Sequence, residues 1–245
     1  MKKPQGMLPL VVVCTVLTLA ATGCASGETE APAAESAQVQ TERVVEPAQE
    51  EAGDTVKAQL TYIQGDEQKT MEVNYLPPGR KIATMETTKG TITIELWESI
   101  APNTVINFVH LANSGRYDGV EFHRVIGGFM AQGGDVSHEK GRGGPGYDIP
   151  DEFDADVHHV RGVISMAHAA APNSGGSQFF ICYTDVTHLD GKYAAFGRVI
   201  EGMKAVDALE KAPKGSPSGV VESPDKIITV RVASVDETET EAAAE

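Results

Sequence analysis

Apolar and polar residues alternate in Thr91-Ile92-Thr93-Ile94-Glu95-Leu96, so every second side chain shares a face, as in a half-buried strand. Residues 82–87 read as a second strand beside it. The period then lengthens. Over residues 101–112, Val105, Phe108, Val109 and Ala112 fall on one helical face, Pro102 takes a first-turn position that tolerates proline, and Gly115 ends the run. A second helix is predicted over 202–211 with Met203, Val206 and Leu209 inward. Between the helices, short strands at 121–125, 129–132, 163–166 and 179–183 are separated by glycine-rich turns, which implies a closed or nearly closed antiparallel sheet. Upstream, residues 58–63 and 70–75 alternate on either side of Gly65-Asp66 and predict a hairpin, and Pro77-Pro78-Gly79 breaks the chain before the next strand.

The first 23 residues follow a different rule. Lys2 and Lys3 precede an uncharged, mostly apolar run at 10–21 that is too short for a comfortable span of about 20 residues, so an export signal is expected. Leu19-Ala20-Ala21-Thr22-Gly23-Cys24 looks like a bacterial lipobox, making Cys24 the lipidation site; cleavage near Ala25 with an incidental cysteine is the alternative. Cys14 would leave with the signal, and Cys182, in an apolar strand pattern, reads as a buried, inert thiol without a disulfide partner.

The net charge of −15 is unevenly placed. Residues 25–56 carry eight acids and one base, and 236–245 carry five acids and no base, so 57–235 holds only −5. The acidic ends are poor in apolar residues and read as disordered: a tether over 24–56 and a tail over 236–245. No cluster of bases is present to neutralise phosphates, which argues against nucleic acid as a partner. The organisation expected is signal 1–23, tether 24–56, hairpin and linker 57–80, main domain 81–235, and tail 236–245.

The distinctive chemistry lies in Phe122-His123-Arg124-Val125-Ile126-Gly127-Gly128-Phe129-Met130-Ala131-Gln132-Gly133-Gly134-Asp135, where a permanent cation stands among aromatic, thioether and amide groups. Gly176-Ser177-Gln178-Phe179-Phe180-Ile181 and His188-Leu189-Asp190-Gly191-Lys192-Tyr193 follow. In order and content these blocks resemble the cyclophilin family of peptidyl-prolyl cis-trans isomerases, over about residues 81–235. The resemblance implies a mainly β fold, an eight-stranded antiparallel barrel capped by two helices. It also implies acceleration of X-Pro rotation, with Arg124 and Gln132 catalytic. Substrate contacts would come from His123, Phe129, Met130, Ala167, His168, Gln178, Phe180, His188, Leu189 and Tyr193.

Three positions depart from the family's pattern. Gly127 stands where many members have proline, His188 where cyclosporin-sensitive members have tryptophan, and Tyr193 where histidine is frequent. Arg124 is retained.

Each residue also has a plainer role. Arg124 can pair with a carboxylate such as Glu121, the apolar residues taken singly are ordinary core, and Gln132 and Gln178 can satisfy strand ends. A binding module that holds proline-containing segments with little turnover is the main rival reading. His138 and the His158-His159 pair invite a metal, but adjacent histidines on a strand face opposite ways and no ligand framework surrounds them, so no metal or cofactor is expected. Ser165 and Ser177 lack a Gly-x-Ser-x-Gly elbow, and no nucleophile-base pair is evident. The partners expected are proline-containing unfolded chains and, through Cys24, the extracytoplasmic face of a bacterial membrane, with the protein a monomer.

Overall fold

These patterns fold into ten strands and two helices in a computed structural model, which describes residues 55–235. The signal segment, Cys24, the tether to residue 54 and the tail lie outside the described residues. Strands β1 (Val56–Gln64) and β2 (Glu67–Tyr75) form a hairpin, followed by β3 (Arg80–Thr87), β4 (Gly90–Leu96) and helix α1 (Pro102–Asn113). Then come β5 (Arg124–Ile126), β6 (Met130–Gly133), β7 (Val163–Met166), β8 (Phe179–Cys182), β9 (Ala195–Glu201), helix α2 (Met203–Ala208) and β10 (Ile227–Val235).

Eight strands make one antiparallel sheet in the order β10-β3-β4-β9-β7-β8-β6-β5, curled into a half-barrel. Isolated bridges join its two ends. Residues 119–125 pair with 219–227: the Val125 amide donates to Gly219 at 2.8 Å, Phe122 to Asp225 at 2.9 Å and Ile227 to Val120 at 2.8 Å. The ladder with β6 covers only Arg124–Ile126, so β5 is shorter than its alternation predicts, and 121–123 pair on this other side alone. Helix α2 is likewise shorter than expected. Leu209 turns out of the helix into an extended conformation but stays buried, and the next amide, of Glu210, donates to Asp225 at 2.7 Å.

Period-two alternation divides β6 and β8 between two environments. Ala131, Phe179 and Ile181 point into the barrel, where Phe179 meets Phe108 of α1 at 5.8 Å, and Phe108 in turn touches Tyr117 at 5.2 Å and Phe196 at 5.3 Å. Each ring buried in this cluster contributes about 2 to 3 kcal/mol. Met130, Phe180 and Cys182 point the other way, into a second apolar cluster with Val186 and Leu189. The start of α1 has no capping side chain of its own; instead the Glu152 carboxylate accepts from the amides of Asn103 at 3.0 Å and Thr104 at 2.7 Å, against the positive end of the helix.

Candidate active site

The register places the site residues in one row. Arg124 lies opposite Gln132, Gln132 opposite Phe180, and Phe180 opposite Ser165, so all four share the outer face of the sheet. Beside them, the outer cluster forms an apolar shelf. Met130, Phe180 and Leu189 are buried, while Phe129 and Tyr193 are half-exposed at its edges. His188 stacks on Phe129 at 5.9 Å and Tyr193 meets the edge of Phe180 at 5.4 Å, so the residues at two of the three divergent positions still wall the shelf. Gly127 does not prevent the turn before Phe129: the Phe129 amide donates to Ile126 at 3.0 Å, and the Phe129 carbonyl accepts from Tyr183 at 2.9 Å.

Arg124 is not paired with Glu121, which faces Lys226 at 3.6 Å. Its Nε donates to the Ser218 carbonyl at 3.0 Å and one terminal nitrogen donates to Gln132 Oε1 at 3.2 Å. The Gln132 amide donates to Gln178 Oε1 at 3.0 Å, and the Gln178 amide to the Gly143 carbonyl at 2.8 Å. Asp135 fixes the loop that carries Gly143, accepting from the Gly141 amide at 2.6 Å and from the Ser137 hydroxyl at 2.8 Å. Burial works to raise the Asp135 pKa, but these bonds outweigh it and hold the carboxyl below its ordinary range. A guanidinium held along one edge in this way keeps its remaining N–H groups for a ligand on the shelf.

The other sequence candidates divide. The Ala167 amide donates to the Gln178 carbonyl at 2.8 Å, so it is already engaged. His168 packs against Tyr193 with the rings tilted by 36° at 4.5 Å, and its ring nitrogens lie 2.6 Å from the Ala169 carbonyl and 2.8 Å from that of Lys192. His123 is buried on the side away from Arg124, and a side chain at Gly141 would collide with its ring. It supports the glycine loop rather than the shelf, and burial lowers its pKa.

The histidine pair requires a correction. His158 and His159 do not face opposite ways on a strand; they lie in a loop, and each places Nδ1 2.9 Å from an oxygen of Asp190. His159 Nε2 is also 3.1 Å from Ser165 Oγ. A serine–histidine–aspartate row therefore exists where no nucleophile-base pair was legible in the residue pattern. It is sealed: Ser165 and His159 are both 0% exposed, and Phe180 stacks on His159 at 6.1 Å. No substrate carbonyl has access to this serine, and the row instead backs the shelf.

Beyond Gln132 and Gln178 a cleft of about 500 Å³ continues past Gly143 to the hairpin tip. A shelf for one ring, a donor beside it and an elongated cleft suit an extended polypeptide better than a compact metabolite. Comparison with known proteins makes this specific. Residues 82–232 match the family described as cyclophilin type peptidyl-prolyl cis-trans isomerase/CLD, and the chain belongs to that family. It is 51% identical over 134 residues to a peptidyl-prolyl cis-trans isomerase of Synechococcus elongatus, covering 54% of this chain and 90% of that one. A Helicobacter pylori isomerase is 48% identical over 132 residues, covering 53% and 80% respectively. A cyclophilin type isomerase of Cryptosporidium parvum, whose crystal structure was determined in the presence of the dipeptide Ala-Pro, is 34% identical with a TM-score of 0.57; the match covers 63% of this chain and 99% of that one.

Four features of the site escaped the sequence. They are the Ser218 and Gly143 carbonyls, the row from Ser165 to Asp190, and the hairpin's place beside the cleft. Backbone carbonyls carry no sequence signal, whereas Asp190, inside a recognised block, was a visible hint.

Proposed function

We propose that the chain accelerates rotation about X-Pro bonds with Arg124 as the catalytic donor. Resonance in the planar amide imposes a barrier of about 18 to 20 kcal/mol, and an unassisted X-Pro bond takes tens to hundreds of seconds. Twisting returns the lone pair to the prolyl nitrogen. An N–H aimed at that nitrogen bonds the twisted state better than the planar one, which lowers the barrier without nucleophile or metal. The proline ring rests on Phe129, Met130, Phe180 and Leu189, Gln132 positions the guanidinium, and Gln178 contacts the residue before proline. The observation that carries this reading is an arginine beside an apolar shelf, held by Ser218 and Gln132 and without a carboxylate partner among the described residues.

The export-type leader and Cys24 support placement of the domain on a bacterial membrane by a lipid anchor, where it assists the folding of exported chains. A tether of about 30 residues reaches roughly 30 Å as a random coil. Fatty-acid labelling that persists in Cys24→Ala would refute the anchor.

The test of the isomerase reading is the exchange rate of an X-Pro peptide with wild type and with Arg124→Ala, both checked for folding by circular dichroism. Acceleration by the wild type that collapses in the variant is expected. A folded wild type that binds the peptide without accelerating exchange would replace the isomerase with a peptide-binding module.

A further inference from the structure

The polar row behind the shelf is costly to bury. Apolar side chains of similar volume in place of Asp190, His159 and Ser165 would leave no charge or ring nitrogen to satisfy, and such exchanges are often neutral or stabilising. What the row supplies instead is orientation. Asp190 Oδ1 accepts from the His159 main-chain amide at 2.8 Å and lies 2.9 Å from the ring Nδ1, so one oxygen holds both the backbone and the ring of His159. At the other end of the ring, Nε2 is 3.1 Å from the Ser165 hydroxyl. Two directional contacts at opposite ends fix the plane of the imidazole, which a leucine of similar bulk would not do.

That plane is passed to Phe180. The imidazole lies within 18° of parallel to the Phe180 ring, with centroids 6.1 Å apart. Tyr193 stands nearly perpendicular to both, 6.5 Å from His159 and 5.4 Å from Phe180. Ser165 is also the cross-strand neighbour of Phe180. The Phe180 ring is thereby held by a ring along its face, a ring at its side and the adjoining strand, whereas Met130 in the same cluster is an unbranched thioether that adapts to what it touches.

We infer that His159, clamped by Asp190, is a positioning residue that sets the plane and depth of Phe180, and so the distance from the Arg124 donor at which a proline ring rests. This rests on the isomerase reading, with the proline on the shelf. The consequence falls on rate more than on affinity. Apolar contacts still bind a displaced ring, whereas misplacing a reacting group by 1 Å can cost about 100-fold, so half of that costs about 10-fold.

The test compares the full chain with its His159→Phe, Asp190→Ala and Asp190→Asn variants, following kcat and KM for an Ala-Pro peptide by exchange spectroscopy near neutral pH. Circular dichroism and urea unfolding give the folded fraction. His159→Phe keeps a flat ring but loses both anchors, and Asp190→Ala frees the ring at Nδ1; each is expected to lower kcat about 3- to 10-fold with KM within twofold. In Asp190→Asn the amide oxygen can still accept from His159 while its NH2 faces Nδ1 of His158, so kcat should recover to within twofold of wild type. The Phe180 ring signals in NMR spectra are expected to broaden or split in Asp190→Ala and to stay single in Asp190→Asn. A role in stability alone gives lower urea midpoints with unchanged kcat per folded molecule, and that result overturns the inference. So does a loss confined to KM, or a loss as large in Asp190→Asn as in Asp190→Ala. The Asp190 side chain is 15% exposed, so its two variants decide the matter if His159→Phe does not fold. A folded wild type that rotates no X-Pro bond is a different failure, which ends the isomerase reading and this inference with it.

Discussion

Replacing Arg124 by lysine separates charge from geometry. The guanidinium makes two distinct bonds to oxygen, Nε to the Ser218 carbonyl and a terminal nitrogen to Gln132, that same nitrogen also lies 3.8 Å from Met130 Sδ, and further N–H groups are to spare. A lysine ammonium has three donors on one atom at the end of a flexible stem, so it cannot be gripped at one point and reach the prolyl nitrogen from another. The positive charge survives, but the positioned donor is lost. A hydrogen bond involving a charged group contributes about 1.5 to 3 kcal/mol. At about 1.4 kcal/mol per factor of ten, Arg124→Lys should lower kcat/KM by roughly 10- to 150-fold. Arg124 is half-exposed, so the fold should be little affected, and urea unfolding can verify this. The assay is exchange spectroscopy on an Ala-Pro peptide over a range of peptide concentrations. Loss in kcat with KM nearly constant supports action on the twisted state. A folded Arg124→Lys protein with more than half of wild-type kcat/KM would refute the argument, since charge alone would then suffice. A loss confined to KM would assign the arginine to ground-state binding.

Two further outcomes follow from the groups around the shelf. Burial acts to raise the Asp190 pKa, but the His159 amide and the two imidazoles outweigh it and hold the carboxyl down at about 2. A depressed acid stabilises the fold above its unfolded pKa and loses that contribution as pH falls, so between about pH 4 and 2 the wild type should lose about 2 kcal/mol that Asp190→Asn does not; a stability difference between the two proteins that stays constant from pH 5 to 2 in urea titrations would count against this. Burial pushes the Cys182 thiol up to about 12, so its peptide should remain unalkylated in folded protein at pH 8 and react in urea, as mass spectrometry of digests can report.

The elements most legible in the sequence were those whose pattern is local. Alternation placed β4, and helical spacing with Pro102 placed α1 almost to the residue. The arginine and the shelf were legible because Arg124, Phe129, Met130 and Gln132 lie within nine consecutive residues that two short strands turn onto one face. What held them was not legible. Ser218 is 94 positions from Arg124 in a loop without motif, and its contribution is a carbonyl that any residue could provide. His158 and His159 were misjudged because a strand rule was applied to a loop, where no fixed alternation exists. The hairpin was visible as a hairpin, but its docking depends on Asn103, which local pattern alone assigned only to the start of a helix.

The Ser218 carbonyl also ties competence to the completeness of the chain. Arg124 is translated well before the segment that grips it, and the bonds between 119–125 and 219–227 that draw this segment into place lead directly into β10. A nascent chain emerging amino end first could therefore form the hairpin, α1 and much of the apolar shelf while its arginine still swung free. A protease nick in the exposed stretch at 214–218 would release the same grip in the finished protein while leaving most of the core intact. Activity, more than compactness or helix content, would report that the segment from Ser218 into β10 had been made, threaded into place and kept whole.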